Sequence, residues 1–313
     1  MCLNPAVRVS SSIAALFALS HVFALPASAQ GVKKLPLLPV FQAGNTYRFV
    51  TTTEVQMQMT PQSLRQVIVE QQARFDATVR VDGKKGVKLR GLTEKLSVVL
   101  QSGDRRLSYD SLKPEDKATT LGKHFQGSLN RWVDLTLDDE MRVVSAEEHG
   151  RAGGATPLPG LPQFGPDELR QLISNIGQGF TEPNASDGDE WVLKGSRNVG
   201  EVGEISFDIT YRHRGAAEFE EHRCVNIEFG GQMSGDVELP GNSGSAFSQG
   251  KMDFQGNGLE GRILYDPAER MVRQSEQNIV MRLQIPGKAG GEPRQIPMRQ
   301  RAVVRLLHVV PTK

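Results

Sequence analysis

The residues best able to do chemistry stand in four places, and the first is Asp138-Asp139-Glu140, inside VDLTLDDEMRVVSA at 133–146. Adjacent carboxylates are the raw material of a divalent-cation site or an acid–base pair. Here Val133, Leu135 and Leu137 alternate before the acids, and Met141 and Val143 alternate after them. Carboxylates between two short alternating runs belong to a hairpin turn, where Asp bonds its own backbone and tolerates turn dihedrals. A calcium loop needs further oxygen ligands at fixed spacing and a central Gly, and this segment has neither. The acids are therefore expected to form a turn. Glu147-Glu148-His149 is expected at the solvated exit of the same hairpin, and no metal site is expected.

The second place is GNSGSAF at 241–247, which resembles the nucleophile loop of trypsin-like serine proteases with Ser243 as nucleophile. That resemblance implies an upstream His in its own motif and an Asp between the two. The upstream candidates His124 (GKHFQG) and His149 (EEHGR) lack that motif, and PGNSGSAFSQG has loop composition throughout. A hydrolase using Ser243 is the least favoured reading, and the chain is expected not to be an enzyme.

The histidines and cysteines are the third. His213 and His222 fall on successive predicted strands and could approach across a hairpin, without Cys or carboxylate at zinc spacing. His308 is expected in the core, on the apolar face of the last strand. Cys224, beside the alternating Val225, Ile227 and Phe229, is expected to be a buried structural thiol. No phosphate-cradling loop, dinucleotide fingerprint or metalloprotease helix occurs, so no cofactor is expected.

The fourth is apolar. Phe49, Met57, Met59, Phe75, Met281 and Met298 lie on the apolar faces of long strands near both ends of the chain. Methionine adapts its shape to varied apolar partners. These six are the candidate ligand-binding residues, with ordinary core packing as the alternative.

The elements that must position them are mostly strands. Period-two alternation places Tyr47, Phe49, Val55, Met57 and Met59 on one face, and Val67, Val69, Ala73, Phe75, Val79 and Val81 on the next. One apolar and one wet face is the antiparallel signature. Between Leu89 and Leu92 the apolar phase slips at Gly91, which predicts a β-bulge and a bent strand. Further on, Ile205, Phe207, Ile209 and Tyr211 share a face, as do Leu259, Ile263 and Tyr265. Met271, Ile279, Met281, Leu283 and Ile285 form another set, and Ile296, Met298, Ala302, Val304, Leu306 and Val310 the last. Helices are predicted from Pro114, with Ala118, Leu121 and Phe125 as its stripe, and from Pro166, with Leu169, Leu172, Ile173 and Ile176.

Residues 1–29 have the zones of a secretory signal: Arg8, an apolar core from Ile13 to Leu25, and Ala27-Ser28-Ala29 before an expected cut after Ala29. Cys2 leaves with it. Lys+Arg then falls from 37 to 36, equal to the 36 Asp+Glu. A balanced chain lacks the basic surface that nucleic-acid binding needs, and no later segment predicts a transmembrane helix. A periplasmic or secreted protein is expected.

Residues 30–40 are read as an N-terminal extension and 41–313 as a single antiparallel domain. Two halves, 41–149 and 188–313, open alike (GNTYRFV and GDEWVLK), joined by a Gly/Pro-rich and helical linker over 150–187. The fold class is mainly β, a β-rich α+β arrangement. A large curved sheet of about ten or eleven strands forms a half-barrel with two or three short helices against its concave face. That order of elements resembles LolA- and LppX-type bacterial lipoprotein and lipid carriers. Stretches such as AGNTYRFVTTTEVQM and SYDSLKPED also resemble uncharacterised secreted bacterial proteins. The carrier resemblance implies an apolar ligand, a lipid or lipoprotein acyl chain, held between sheet and helices. The alternative is a structural or interaction module that binds an envelope protein and no small ligand.

Overall fold

The computed structural model describes residues 37–60, 63–79, 87–139, 141–149, 166–177, 179–180, 185–198, 204–238, 251–253, 258–285 and 294–311. Ahead of the Gly/Pro-rich stretch run β1 (Asn45–Thr60), β2 (Ser63–Val79), β3 (Val87–Ser102), β4 (Arg105–Asp110), β5 (Trp132–Leu137) and β6 (Val143–His149). After it come β7 (Glu190–Asn198), β8 (Glu204–Phe219), β9 (His222–Ser234), β10 (Asp236–Glu238) and β11 (Lys251–Asp253). The last three are β12 (Leu259–Asp266), β13 (Met271–Ile285) and β14 (Arg294–Pro311). All join one sheet whose main path is β6-β5-β3-β2-β1-β14-β13-β12-β9-β8-β7, eleven strands, with β4 on β3 and the short pair β10–β11 on β13. Every pairing is antiparallel, and β1 with β14 seals the centre. The path ends at β6 and β7, which do not pair, so the sheet is not closed into a barrel. The expected mainly β class holds; of the fourteen strands among the described residues, eleven lie on the main path, against the ten or eleven expected.

Among the described residues two α-helices accompany the sheet: α1 (Thr120–Phe125), flanked by 3₁₀ turns at Pro114–Ala118 and Gln126–Ser128, and α2 (Pro166–Gly177). The first was expected as one continuous stretch. It breaks at Thr119, which is extended and whose Oγ1 accepts from Gly122 N–H at 3.0 Å, capping a new helix. Leu121 and Phe125 are buried as expected, whereas Ala118, left outside the cap, is exposed. The α2 stripe is as read: Leu169, Leu172, Ile173 and Ile176 are all buried.

One apolar cluster takes in the inner faces of the sheet together with both helices. The sheet must be strongly curled. At about 4.8 Å between strands, a flat path of eleven would hold β6 and β7 roughly 48 Å apart. Yet Gly177, ending α2, lies against Met141 in the β5–β6 turn, and two residues on the Gly179 carbonyl accepts from Trp191 Nε1 of β7 at 2.8 Å. Two residues span about 7 Å at most. The end of α2 therefore bridges the two open sides of the sheet. Gly179 is required there: its φ is +84°, and a Cβ would sit 2.4 Å from the Tyr211 ring.

Bulges supply the curvature and move several side chains from where simple alternation puts them. In β3 the slipped residue is Glu94, between partners Thr93 and Lys95, three positions past the expected Gly91. Alternation puts the phase change at Gly91 because Leu92 is also buried, outside the main core. In β14 the extra residue is Leu307. It returns Val309 to the core side and sends His308 and Val310 outward. His308 is exposed, which corrects the expected core histidine, and Val310 is 42% exposed.

Candidate functional site

Three of the six candidate residues have described side chains. Phe49, Met281 and Met298 are each 1% exposed, and all belong to the inner core. Met281 and Met298 stand directly opposite one another on β13 and β14, and register places Met57 opposite Met298 from the other side. The backbone of Phe75 pairs with Tyr47. The side chains of Met57, Met59 and Phe75, like Ser243 and its loop, lie outside the described residues.

Beside the methionines the inner face turns polar. Thr51 and Thr53 on β1, Gln300 on β14, and Ser275 and Gln277 on β13 all occupy inward positions of the register. Thr53 faces Ala302, which faces Gln277; Val55 faces Gln300, which faces Ile279. The sequence reading passed over each of these residues as a gap in an apolar run. Register brings the gaps of three strands side by side. Gln300 is 2% and Gln277 5% exposed, yet Gln277 Nε2 and both amide atoms of Gln300 have no hydrogen-bond partner. A buried polar group without a partner costs about 1–3 kcal/mol.

Helix α2 packs on β3, β5, β6 and β13. Its own buried polar pair is satisfied, Gln171 Nε2 donating to Asn175 Oδ1 at 2.6 Å. Beyond it an aromatic series lines β7, β8 and β9: Trp191 stacks on Tyr211 at 5.7 Å, and Tyr211 meets Phe229 at 5.4 Å. Phe229 lies over Gly261 of β12, where a Cβ would be 2.2 Å from its ring. Phe180 packs on Tyr265 at 5.3 Å, and burial pushes the Tyr265 phenol up to about 12.

A charged cluster sits outside the core, at the β12–β13 turn. Asp266, 2% exposed, accepts from Arg273 Nε at 3.1 Å and lies 3.0 Å from His222 Nδ1. Its other oxygen accepts from the Ala268 and Glu269 N–H groups. The β8–β9 turn folds over this spot: Glu220 pairs with Arg305 of β14, whose guanidinium lies over Phe219. Every polar atom of the Asp266 carboxylate is engaged, so the cluster reads as a structural clasp.

The remaining candidates resolve one by one. Asp138 and Asp139 stand at a turn, and Glu140 lies outside the described residues: Asp138 accepts from Arg142 N–H and Nε, and Met141 takes φ 63°. His149 is tied to Asp134, and the Arg90 guanidinium holds the Asp134 carboxyl below the usual range. His213 pairs across the sheet with Ile227 and His222 with Phe219, so the two histidines do not meet. Cys224 is buried, and burial pushes its thiol up, which suits an inert side chain. Among the described residues no cluster of His, Cys, Asp or Glu could hold a metal ion, and no helix is long and apolar enough to cross a membrane.

No known family matches the sequence, and no curated protein does. Among solved structures, lipovitellin, in a study of its lipid–protein interactions, overlays 88% of this chain at 9% identity with a TM-score of 0.46. The overlay spans 26% of the lipovitellin chain, about a quarter of its length. An outer membrane channel of Pseudomonas putida F1 overlays 86% of this chain and 98% of its own at 8% identity, with a TM-score of 0.18. OpdQ of Pseudomonas aeruginosa overlays 87% and 100% at 9% identity, with a TM-score of 0.20. Likenesses at these scores carry no functional reading, which rests on the residues themselves.

Proposed function

We propose that this is an exported bacterial envelope protein that binds an apolar ligand, a lipid or lipoprotein acyl chain, on the concave side of its curled sheet. The observation that carries this is the Met281–Met298 pair with Phe49, set together on the inner face of the curled sheet. Adaptable thioethers beside a stiff ring suit chains of varied length better than a fixed jigsaw of branched residues. The signal expected in residues 1–29 would deliver the chain to the compartment where such ligands are moved. This is the ligand logic of the LolA- and LppX-type carriers.

Exported protein, purified without detergent and extracted with organic solvent, is expected to release an apolar molecule in near-stoichiometric amount by mass spectrometry. Extracts no richer than those of an unrelated exported protein would contradict the proposal. The open edges β6 and β7 favour a second reading, an interaction module of the envelope. A tightly co-purifying envelope protein with no extracted ligand would support that one instead.

A further inference from the structure

We infer that the ligand carries, along its apolar chain, an uncharged group able both to donate and to accept hydrogen bonds, an amide or a hydroxyl, which seats against Gln277 and Gln300. This rests on the apolar-ligand reading and narrows it to a chemical class.

The argument starts from the two amides. Both are more than nine-tenths buried, both stand on inward register positions, and they lie diagonally across the β13–β14 ladder next to Met281 and Met298. Gln300 leaves its donor and its acceptor unused, and Gln277 leaves its donor unused. Thr51 Oγ1, on the next strand, also lacks a partner. The rows that hold the glutamines run Gly261, Gln277, Ala302, Thr53 and Leu259, Ile279, Gln300, Val55. No residue in them is charged.

A carboxylate or phosphate placed there would lose its hydration with no cation in those rows to replace it. An ester offers only acceptors and would leave Gln300 Oε1 as orphaned as before. An amide or hydroxyl matches a primary amide donor for acceptor and acceptor for donor. The same unused amide atoms that cost the fold stability would become the source of selectivity, because a site built to hydrogen-bond a group discriminates strongly against analogues lacking it.

The test is equilibrium dialysis of the purified, delipidated full chain with four ten-carbon probes: decanamide, 1-decanol, methyl decanoate and sodium decanoate. Decanamide and decanol are expected to bind about tenfold tighter than methyl decanoate, with the anion weakest, as for one or two net hydrogen bonds. Gln300→Met and Gln277→Met, near-isosteric and apolar, are each expected to shrink the ratio of decanamide to methyl decanoate affinity towards one. Probes that bind with equal affinity would overturn the inference and leave the apolar-ligand reading standing. A preference that persists in the Gln277→Met/Gln300→Met double variant would also overturn it. If no probe binds, both fall together.

Discussion

Replacing Ile173 by Asp is expected to cost about 4 kcal/mol of stability or more, because it forces a charge into a desolvated core. Ile173 is fully buried at the middle of α2, among Leu169, Leu172 and Ile176. Helix α2 is more than a cover. It packs on β3, β5, β6 and β13, and the residues that end it reach both unpaired sides of the sheet. A charge at 173 must be desolvated in the core or must lift the helix out and strip the inner face. Urea unfolding followed by tryptophan emission measures the loss, since Trp191 donates to the Gly179 carbonyl at the same junction. The control is Val192→Asp on the edge strand β7, where the side chain is half-exposed and a change within about 0.5 kcal/mol is expected. A loss below about 1 kcal/mol for Ile173→Asp would mean that α2 does not hold the curl.

Asp266→Ala is expected to cost about 3–5 kcal/mol, the penalty for leaving a buried charge without its partner. Arg273 is 6% exposed and gives both Nε and an Nη to that carboxylate. The same change removes the acceptor of the Ala268 and Glu269 N–H groups, so the β12–β13 turn loses its internal bonds as well. Removing the guanidinium at the same time should recover part of the loss, so Asp266→Ala/Arg273→Met is expected to be more stable than Asp266→Ala alone. Chemical denaturation of Asp266→Ala, Arg273→Met and the double variant tests this as a cycle. A single variant within 1 kcal/mol of the parent would show that the clasp contributes little.

Much of this fold was legible because it is written locally. Period-two alternation marks the long strands whatever they pair with, and the α2 stripe, the hairpin acids and the buried Cys224 follow from a few neighbouring residues each. What escaped depends on pairing. A bulge shows in sequence only as a slipped phase, and the slip is disguised when the outer face is also buried, as at Leu92 beside Glu94. Leu307 left no such trace, so His308 and Val310 were placed on the wrong side. The helix predicted from Pro114 broke because Thr119 could cap a second start as readily as continue the first.

The site shows the same division. Phe49, Met281 and Met298 could be chosen from alternation alone, because each is a large adaptable or aromatic side chain on an apolar face. The polar band could not be assembled that way. Thr51 and Thr53, Ser275 and Gln277, and Gln300 each look like a single lapse in patterning. Only the register of β1, β14 and β13 aligns them. The usable signal was the coincidence of three such lapses in strands already expected to be inward-facing. The Asp266–Arg273 clasp was invisible for a related reason: its partners flank a turn that only the hairpin brings together.

Methyl-labelled methionine offers the sharpest test of the ligand reading. With ¹³C at each Met Cε, titration with 1-decanol is expected to shift the Met281 and Met298 resonances and to give direct magnetisation transfer between those methyls and the added chain. If the two resonances hold still while the chain binds elsewhere or not at all, the inner face is a packed core and carries no cargo.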